Sequence, residues 1–149
     1  MLTTLTDAET DSILLSQIIG HLGCSANGEQ YVLPLFYIYH NDALYGHTYE
    51  GKKSEILKKN KQVCFQVEEL VVGGWKSAMA WGMYEQIQGN EATEVIAIML
   101  DRLAALPEDR KQFFPFYQNE GSFAFRKDGT MPVIWKIAIE KKSGKAEKR

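Results

Sequence analysis

The stretch "ALYGHTYEGKKSEILKKNKQVCFQVEEL" (Ala43–Leu70) decides how this chain is read. Its opening, Ala43–Tyr49, is apolar and aromatic and predicts a strand. Its middle, with Glu55, Ile56, Leu57, Lys58 and Lys59, is built of good helix formers. Its end, Lys61–Leu70, alternates, with Val63, Phe65 and Val67 on one face. The order is strand, short helix, strand. The oddity is the start of the helix. Lys52 and Lys53 fall in its first turn, where each misplaced cation costs about 0.3–1 kcal/mol against the helix dipole. Lys58, Lys59 and Lys61 sit near the other end, where cations are favoured. Two readings explain the misplaced pair. Either both lysines only point into water, or an anion sits at the helix N-terminus. A phosphate there would accept hydrogen bonds from the first-turn N–H groups and be neutralised by two ammoniums. Gly51 removes the Cβ that would crowd such an approach. Thr48 offers a hydroxyl, and His47 lies one residue before it.

Working outward, Thr6–Glu9 has the form of a capping box and opens a helix to about Gln17. Ile18–Cys24 reads as a strand, and Asn27-Gly28 within "SANGE" marks a tight hairpin. "QYVLPLFYIYH" (Gln30–His40) is apolar on both alternating faces, so both faces should be covered. Pro34 inside it lacks an N–H, which calls for an edge, a bulge or one open side of the ladder. Asn41-Asp42 turns the chain into Ala43–Tyr49. Beyond Leu70, "VVGGW" is a loop and Lys76–Ile87 a strand. From Asn90 to Leu106 the period becomes helical, with Ala92, Val95, Ile96, Met99, Leu103 and Leu106 on one stripe. Pro107 ends it. "FFPFY" (Phe113–Tyr117) is an aromatic cluster without clear period, and Pro132–Glu140 is a sixth strand. The charged tail, residues 141–149, is expected to fray. Six strands with short turns and two or three helices predict a mainly β fold in one domain, 1–149: a small antiparallel barrel with covering helices.

At 149 residues the chain is long enough for a proper core. It is 45% apolar and 24% charged with net charge −2, which argues against a nucleic-acid binder. No apolar run approaches the roughly 18 residues of a membrane span, and the N-terminus lacks the pattern of a signal peptide, so the expected setting is cytoplasmic. Cys24 and Cys64 are lone residues in apolar strands and read as reduced thiols. His21, His40 and His47 show no metal-ligand spacing, so no metal site is expected. Trp75 follows Gly73-Gly74 at a strand mouth, with Ser77 two residues on. It is either a core lid or a ligand wall.

The order "IIGHLGC…YVLPLFYIYH…YGHTYEGKKSEILKKNKQVCFQVEE…WKSAMAWGMYEQI…VIWKIAIEKKSGKA" resembles the pyridoxamine 5′-phosphate oxidase-like flavoproteins of split β-barrel fold. It is most similar to the branch that includes the nitroimidazole-resistance reductases. The resemblance runs from about Ile18 to Gly144, and its most specific part is H-[ST]-x-x-G-[KR]-K followed by the lysine-rich helix and "VCFQVEE". It implies a six-stranded barrel that binds FMN at a homodimer interface. By resemblance, Lys52 and Lys53 match the basic pair on the FMN phosphate. His47 and Thr48 match positions along the phosphate and ribityl side. Leu33, Pro34 and Leu35 match the backbone along the isoalloxazine ring, and Trp75 and Ser77 match positions near the flavin. In the nitroimidazole-resistance branch the histidine matching His47 is implicated in activity, so His47 is the catalytic candidate. Gly46 stands where an aromatic is common and is expected to open space above the ring. The chain lacks the arginine-rich C-terminal segment of true pyridoxamine 5′-phosphate oxidases, so that reaction is not expected. The resemblance implies an FMN-dependent oxidoreductase acting on a small organic acceptor such as a nitro-aromatic. The alternative is a non-catalytic flavin or haem binder of the same fold.

Overall fold

The computed structural model describes residues 1–49, 51–111 and 132–149. The elements in chain order are β1 (Leu2–Thr4), α1 (Asp7–Ser16), β2 (Ile19–Ala26), β3 (Glu29–His40), β4 (Ala43–Tyr49), α2 (Lys52–Lys59), β5 (Gln62–Val71), β6 (Gly74–Gln86), α3 (Gly89–Ala104), α4 (Glu108–Lys111) and β7 (Pro132–Lys148). The "FFPFY" cluster lies outside the described residues.

Local chemistry starts and stops these elements as the sequence predicts. Thr6 Oγ1 accepts from the Glu9 N–H while the Glu9 carboxylate accepts from the Thr6 N–H, closing the capping box of α1. Asn27 and Gly28 both take positive φ, as do Asn41 and Asp42. Each pair thereby forms a two-residue hairpin turn whose twist suits the flanking strands. Gly73 (φ 85°) turns β5 into β6.

The seven strands form one antiparallel sheet in the order β1-β7-β4-β3-β2-β5-β6, and β6 pairs again with β7. That last pairing closes six strands into a barrel, and β1 adds a short seventh strand against the end of β7. Inside, Leu22, Tyr37, Leu44, Phe65, Val67, Ala78, Ala80, Trp135 and Ile137 form the core, with Ile13 and Leu14 of α1 and Ile56 and Leu57 of α2 plugging it. Burying an aliphatic or aromatic side chain this fully contributes about 1.5–3 kcal/mol. Tyr37 keeps its hydroxyl satisfied by donating to the Leu14 carbonyl at 2.7 Å. A second core lies outside the barrel. There α3 lays Ala92, Val95, Met99 and Leu103 onto Phe36, Ile38, Ala43, Tyr45 and Ile134. The helical stripe read from the sequence is that buried face.

Two expectations need correction. The tail does not fray: β7 runs to Lys148, paired with β6 along Trp135–Lys148 and with β1 at Lys145–Glu147. A register shift at Trp81/Gly82 leaves Glu140 without an opposite residue and bends the strand there. Its lysines are compatible with a strand because they lie along neighbours. Lys141 Nζ sits 4.9 Å over the Trp81 ring, and Lys142 Nζ bonds Asp11 at 2.6 Å. The first half of β3, expected to be covered on both faces, is exposed over Glu29–Val32.

Candidate functional site

The site begins at that half-exposed strand. Ala26 and Glu29 flank the two-residue turn, so they form a hydrogen-bonded pair, and such pairs alternate along the ladder. The N–H of Tyr37 on the Ile18 carbonyl, at 3.1 Å, agrees with this phase. The backbone groups of residues 29, 31, 33, 35 and 37 therefore face β2, and those of 30, 32, 34 and 36 face the other way. β4 covers that other edge only from Tyr37 to His40. Among the described residues no strand pairs it over 29–35. Pro34 sits where its missing N–H costs no ladder bond, the open side that its ring demands. Leu33 and Leu35 are half-buried against the barrel core, and Pro34 is exposed.

The start of α2 meets this edge at its near end. Lys52 Nζ pairs with Glu29 Oε2 at 2.8 Å, with both side chains about half exposed. Lys52 holds the Glu29 carboxyl below the usual carboxylate range through this hydrogen bond, and Glu29 raises the Lys52 ammonium in return. Lys53 is buried, and its Nζ donates to the Tyr49 carbonyl at 2.6 Å. The first-turn lysines thus have partners within the chain. Neither is explained by open solvent alone. The Gly51 N–H donates to Ser54 Oγ, and a Cβ built on Gly51 would meet nothing within 4 Å. The approach to the helix N-terminus is open. Asn60 fixes the other end of α2 by donating to the Ser25 carbonyl.

The far end of the edge is where β4 leaves β3. His47 is buried and packs edge-to-face on Tyr49, ring centroids 4.9 Å apart. Thr48 beside it is half-buried. The room at Gly46 is not above a ligand ring. It faces the barrel interior, where the Trp135 indole would stand 2.2 Å from any added Cβ.

Trp75 lies elsewhere. His47 pairs with Ile134 and Trp75 with Glu147, thirteen positions apart on β7, about 40 Å of extended strand. One chain therefore gathers Leu33, Pro34, Leu35, His47, Thr48, Lys52 and Lys53 along the β3 edge, and holds Trp75 far from His47 along β7, while Ser77 is reached from Pro34 across the sheet through His21 and Gln66. Beside the polar end of β3 runs an open groove of about 520 Å³ on the outer face of β2, β5 and β6, lined by Gly23, Cys64, Val32 and Trp81. Both cysteines are free thiols, and burial pushes the Cys24 thiol up. Among the described residues no three His, Cys, Asp or Glu side chains converge as a metal centre needs.

Sequence reasoning missed Glu29, the partner of Lys52. A turn-flanking acid carries no periodic signal. It also missed a polar row beside Ser77. His21 Nδ1 meets Gln66 Oε1 at 3.2 Å, and Gln66 Nε2 donates to Ser77 Oγ at 3.0 Å. Gln66 was legible as the outward residue between Phe65 and Val67, but its partners come from two other strands.

A closed six-stranded barrel with one strand left half-open beside a basic helix start is a split β-barrel. The chain belongs to the pyridoxamine 5′-phosphate oxidase family, whose sequence pattern matches residues 6–143. A FAD-binding protein from Mesorhizobium loti is 30% identical, with 99% of each chain covered and a TM-score of 0.70. A candidate 5-nitroimidazole antibiotic resistance protein from Bacteroides thetaiotaomicron is 23% identical over 98% of this chain and 87% of its own, TM-score 0.71. The haem storage protein HutZ from Vibrio cholerae shares the fold at 12% identity, over 91% of this chain and 90% of its own, TM-score 0.64. A curated relative, an uncharacterised protein from Rhizobium meliloti, is 23% identical over 84 residues, and the match spans 56% of each chain. Among the described residues no helix is long and apolar enough to cross a membrane.

Proposed function

We propose that this chain is a homodimeric flavoprotein that binds FMN and passes electrons from a reduced nicotinamide or another cell reductant to a small organic acceptor, with nitro-aromatics the class to try first. The observation that carries the reading is the half-open β3 beside the start of α2. An edge that no strand among the described residues pairs over 30–34, with apolar side chains beside it, suits a planar heterocycle with a polar rim and apolar faces. Lys52 and Lys53, with the open approach at Gly51, suit a phosphate. The Glu29–Lys52 pair is solvent-screened, so a phosphate dianion displaces Glu29 at little cost. The 30% identical FAD-binding relative supports a flavin, and the likeness to the nitroimidazole-resistance protein suggests the acceptor class.

The flavin, when bound, would supply the redox chemistry. The chain's own residues bind and orient it. Thr48, Lys52 and Lys53 hold the phosphate, and Leu33, Pro34 and Leu35 line the ring. His47 is the candidate proton donor to the acceptor. The exposed apolar tip of the β5–β6 hairpin supports the dimer. This tip exposes Leu70 (82%), Val72 (94%) and Trp75 (37%), an apolar cluster of the kind that protein partners cover. A second copy covers this tip, and its Trp75 and Ser77 complete the site at the first copy's β3 edge.

The test is a visible spectrum of the purified protein, before and after addition of FMN, FAD or riboflavin and gel filtration. Flavin bands co-eluting with a dimer, with FMN held more tightly than riboflavin, are the expected result. Lys52→Gln together with Lys53→Met should abolish the preference for FMN over riboflavin. Anaerobic NADH or NADPH should then bleach the flavin band. A colourless protein that takes up no flavin, or a sharp haem band in its place, would sink the proposal.

A further inference from the structure

The polar row across β2, β5 and β6 ends at Ser77, and its hydrogen bonds have a direction. An amide has one accepting and one donating end. The Gln66 carbonyl oxygen faces His21 Nδ1 at 3.2 Å, so the tautomer with a proton on Nδ1 fixes which way the amide points. Its Nε2 then donates to Ser77 Oγ at 3.0 Å. A serine hydroxyl has a single proton, and a hydroxyl already accepting from Gln66 keeps that proton for a partner elsewhere. His21, Gln66 and Ser77 all point to the outer face of the barrel and are half-buried there. Glu68 is the charged group beside them, with Oε1 3.9 Å from His21 Nδ1.

We propose that Gln66, itself held by His21, is a positioning residue for Ser77: it accepts from His21 and donates to Ser77 Oγ, and so turns the Ser77 hydroxyl proton outward toward a hydrogen-bond acceptor on the rim of the bound flavin. This rests on the flavin reading above and adds to it the direction of one hydrogen bond and the two residues that set it. The outward proton makes Ser77 a donor, so it favours electron-rich atoms of the ligand over its N–H groups. Gln66→Glu is nearly the same shape but can only accept when ionised. It would draw the Ser77 proton inward and leave only lone pairs facing the ligand.

The experiment is a double-mutant cycle on the dimeric protein, read by flavin dissociation constant and by the position of the bound flavin's visible band, with thermal melts to confirm folding. Ser77→Ala and Gln66→Glu are each expected to weaken flavin binding about tenfold and to shift the band alike. In the Ser77→Ala background Gln66→Glu should add nothing. Gln66→Met, which removes the polar atoms without adding charge, keeps the test available if the glutamate variant fails to fold, and should show the same coupling to Ser77. Gln66 variants that leave affinity and band unchanged overturn the proposal. So does a loss of equal size with and without the Ser77 hydroxyl, which would be a charge or packing effect. In both cases a wild type that binds flavin leaves the function standing. A wild type that binds none overturns both.

Discussion

Lys52 shows how one residue can be misplaced for its helix and well placed for its protein. Its charge opposes the dipole of α2, yet its side chain reaches back to Glu29 on the neighbouring hairpin. Glu29 occupies the ammonium that a ligand phosphate would need, so the two acids compete. Glu29→Gln should raise affinity for FMN severalfold and leave that for riboflavin unchanged, measured by fluorescence quenching at low ionic strength. Equal gains for both ligands would mean Glu29 acts on the ring and not on the phosphate. Gly46 makes the same point from the interior. Its missing side chain is the space that Trp135 fills, and the Phe36 carbonyl stands 2.7 Å from where a Cβ would lie. Gly46→Ala should therefore destabilise the fold by about 1–3 kcal/mol in urea unfolding, with no gain in ligand range.

At the scale of elements, two attachments hold helices to the barrel. Helix α3 depends on its apolar stripe, and Met99 at its centre is fully buried. Met99→Ala should cost about 2–5 kcal/mol. Helix α1 is tied to β7 more locally. Lys142 Nζ meets both Asp11 Oδ1 and the Tyr39 hydroxyl, and Gly144 lies so close to Thr10 that a Cβ would fall 2.3 Å from its Oγ1. Gly144→Val should loosen α1 and expose amide protons of Ile13 and Leu14 to hydrogen exchange, while those of Phe65 and Val67 stay protected.

For the whole molecule, the exposed hairpin tip and the proposed dimer point to the same test. Leu70→Glu with Val72→Glu should yield a monomer in sedimentation and should lose flavin together with dimerisation. A flavin-loaded monomer would show that one chain holds the complete site. Stability should form a broad plateau in pH. The hydrogen bonds of Thr6, Lys52 and Lys136 hold the carboxyls of Glu9, Glu29 and Glu91 below their ordinary range. Their folded-state values are depressed, so their contribution is present above the ordinary carboxylate range, about pH 4.5, and is lost as pH falls below it. On the alkaline side burial pushes the Tyr37 phenol up, and the Asp11 hydrogen bond raises Lys142. Their folded values are raised, so their contribution is complete below about pH 10 and is lost above it, where the unfolded chain gives up these protons first. Urea unfolding across the range should show both limbs, and Tyr37→Phe should flatten the alkaline one.

The sequence by itself determined most of the elements, though not β1 or the second half of β7. Alternation in Val63–Val67, the i, i+3/i+4 stripe in α3, the capping box at Thr6 and the turn pairs Asn27-Gly28 and Asn41-Asp42 are local signals, and each names its element without help from the rest. It also pointed to the open ladder at Pro34, because a missing N–H is a property of one residue. Only the tertiary structure decided what those elements meet. That β6 closes on β7, that the charged tail is a strand because β1 and β6 flank it, that Glu29 holds Lys52 and that Gln66 joins His21 to Ser77 all depend on pairings between residues tens of positions apart. Register sets such contacts, and register is decided by the packing of the whole barrel, where a shift of one residue would turn every side chain to the other face.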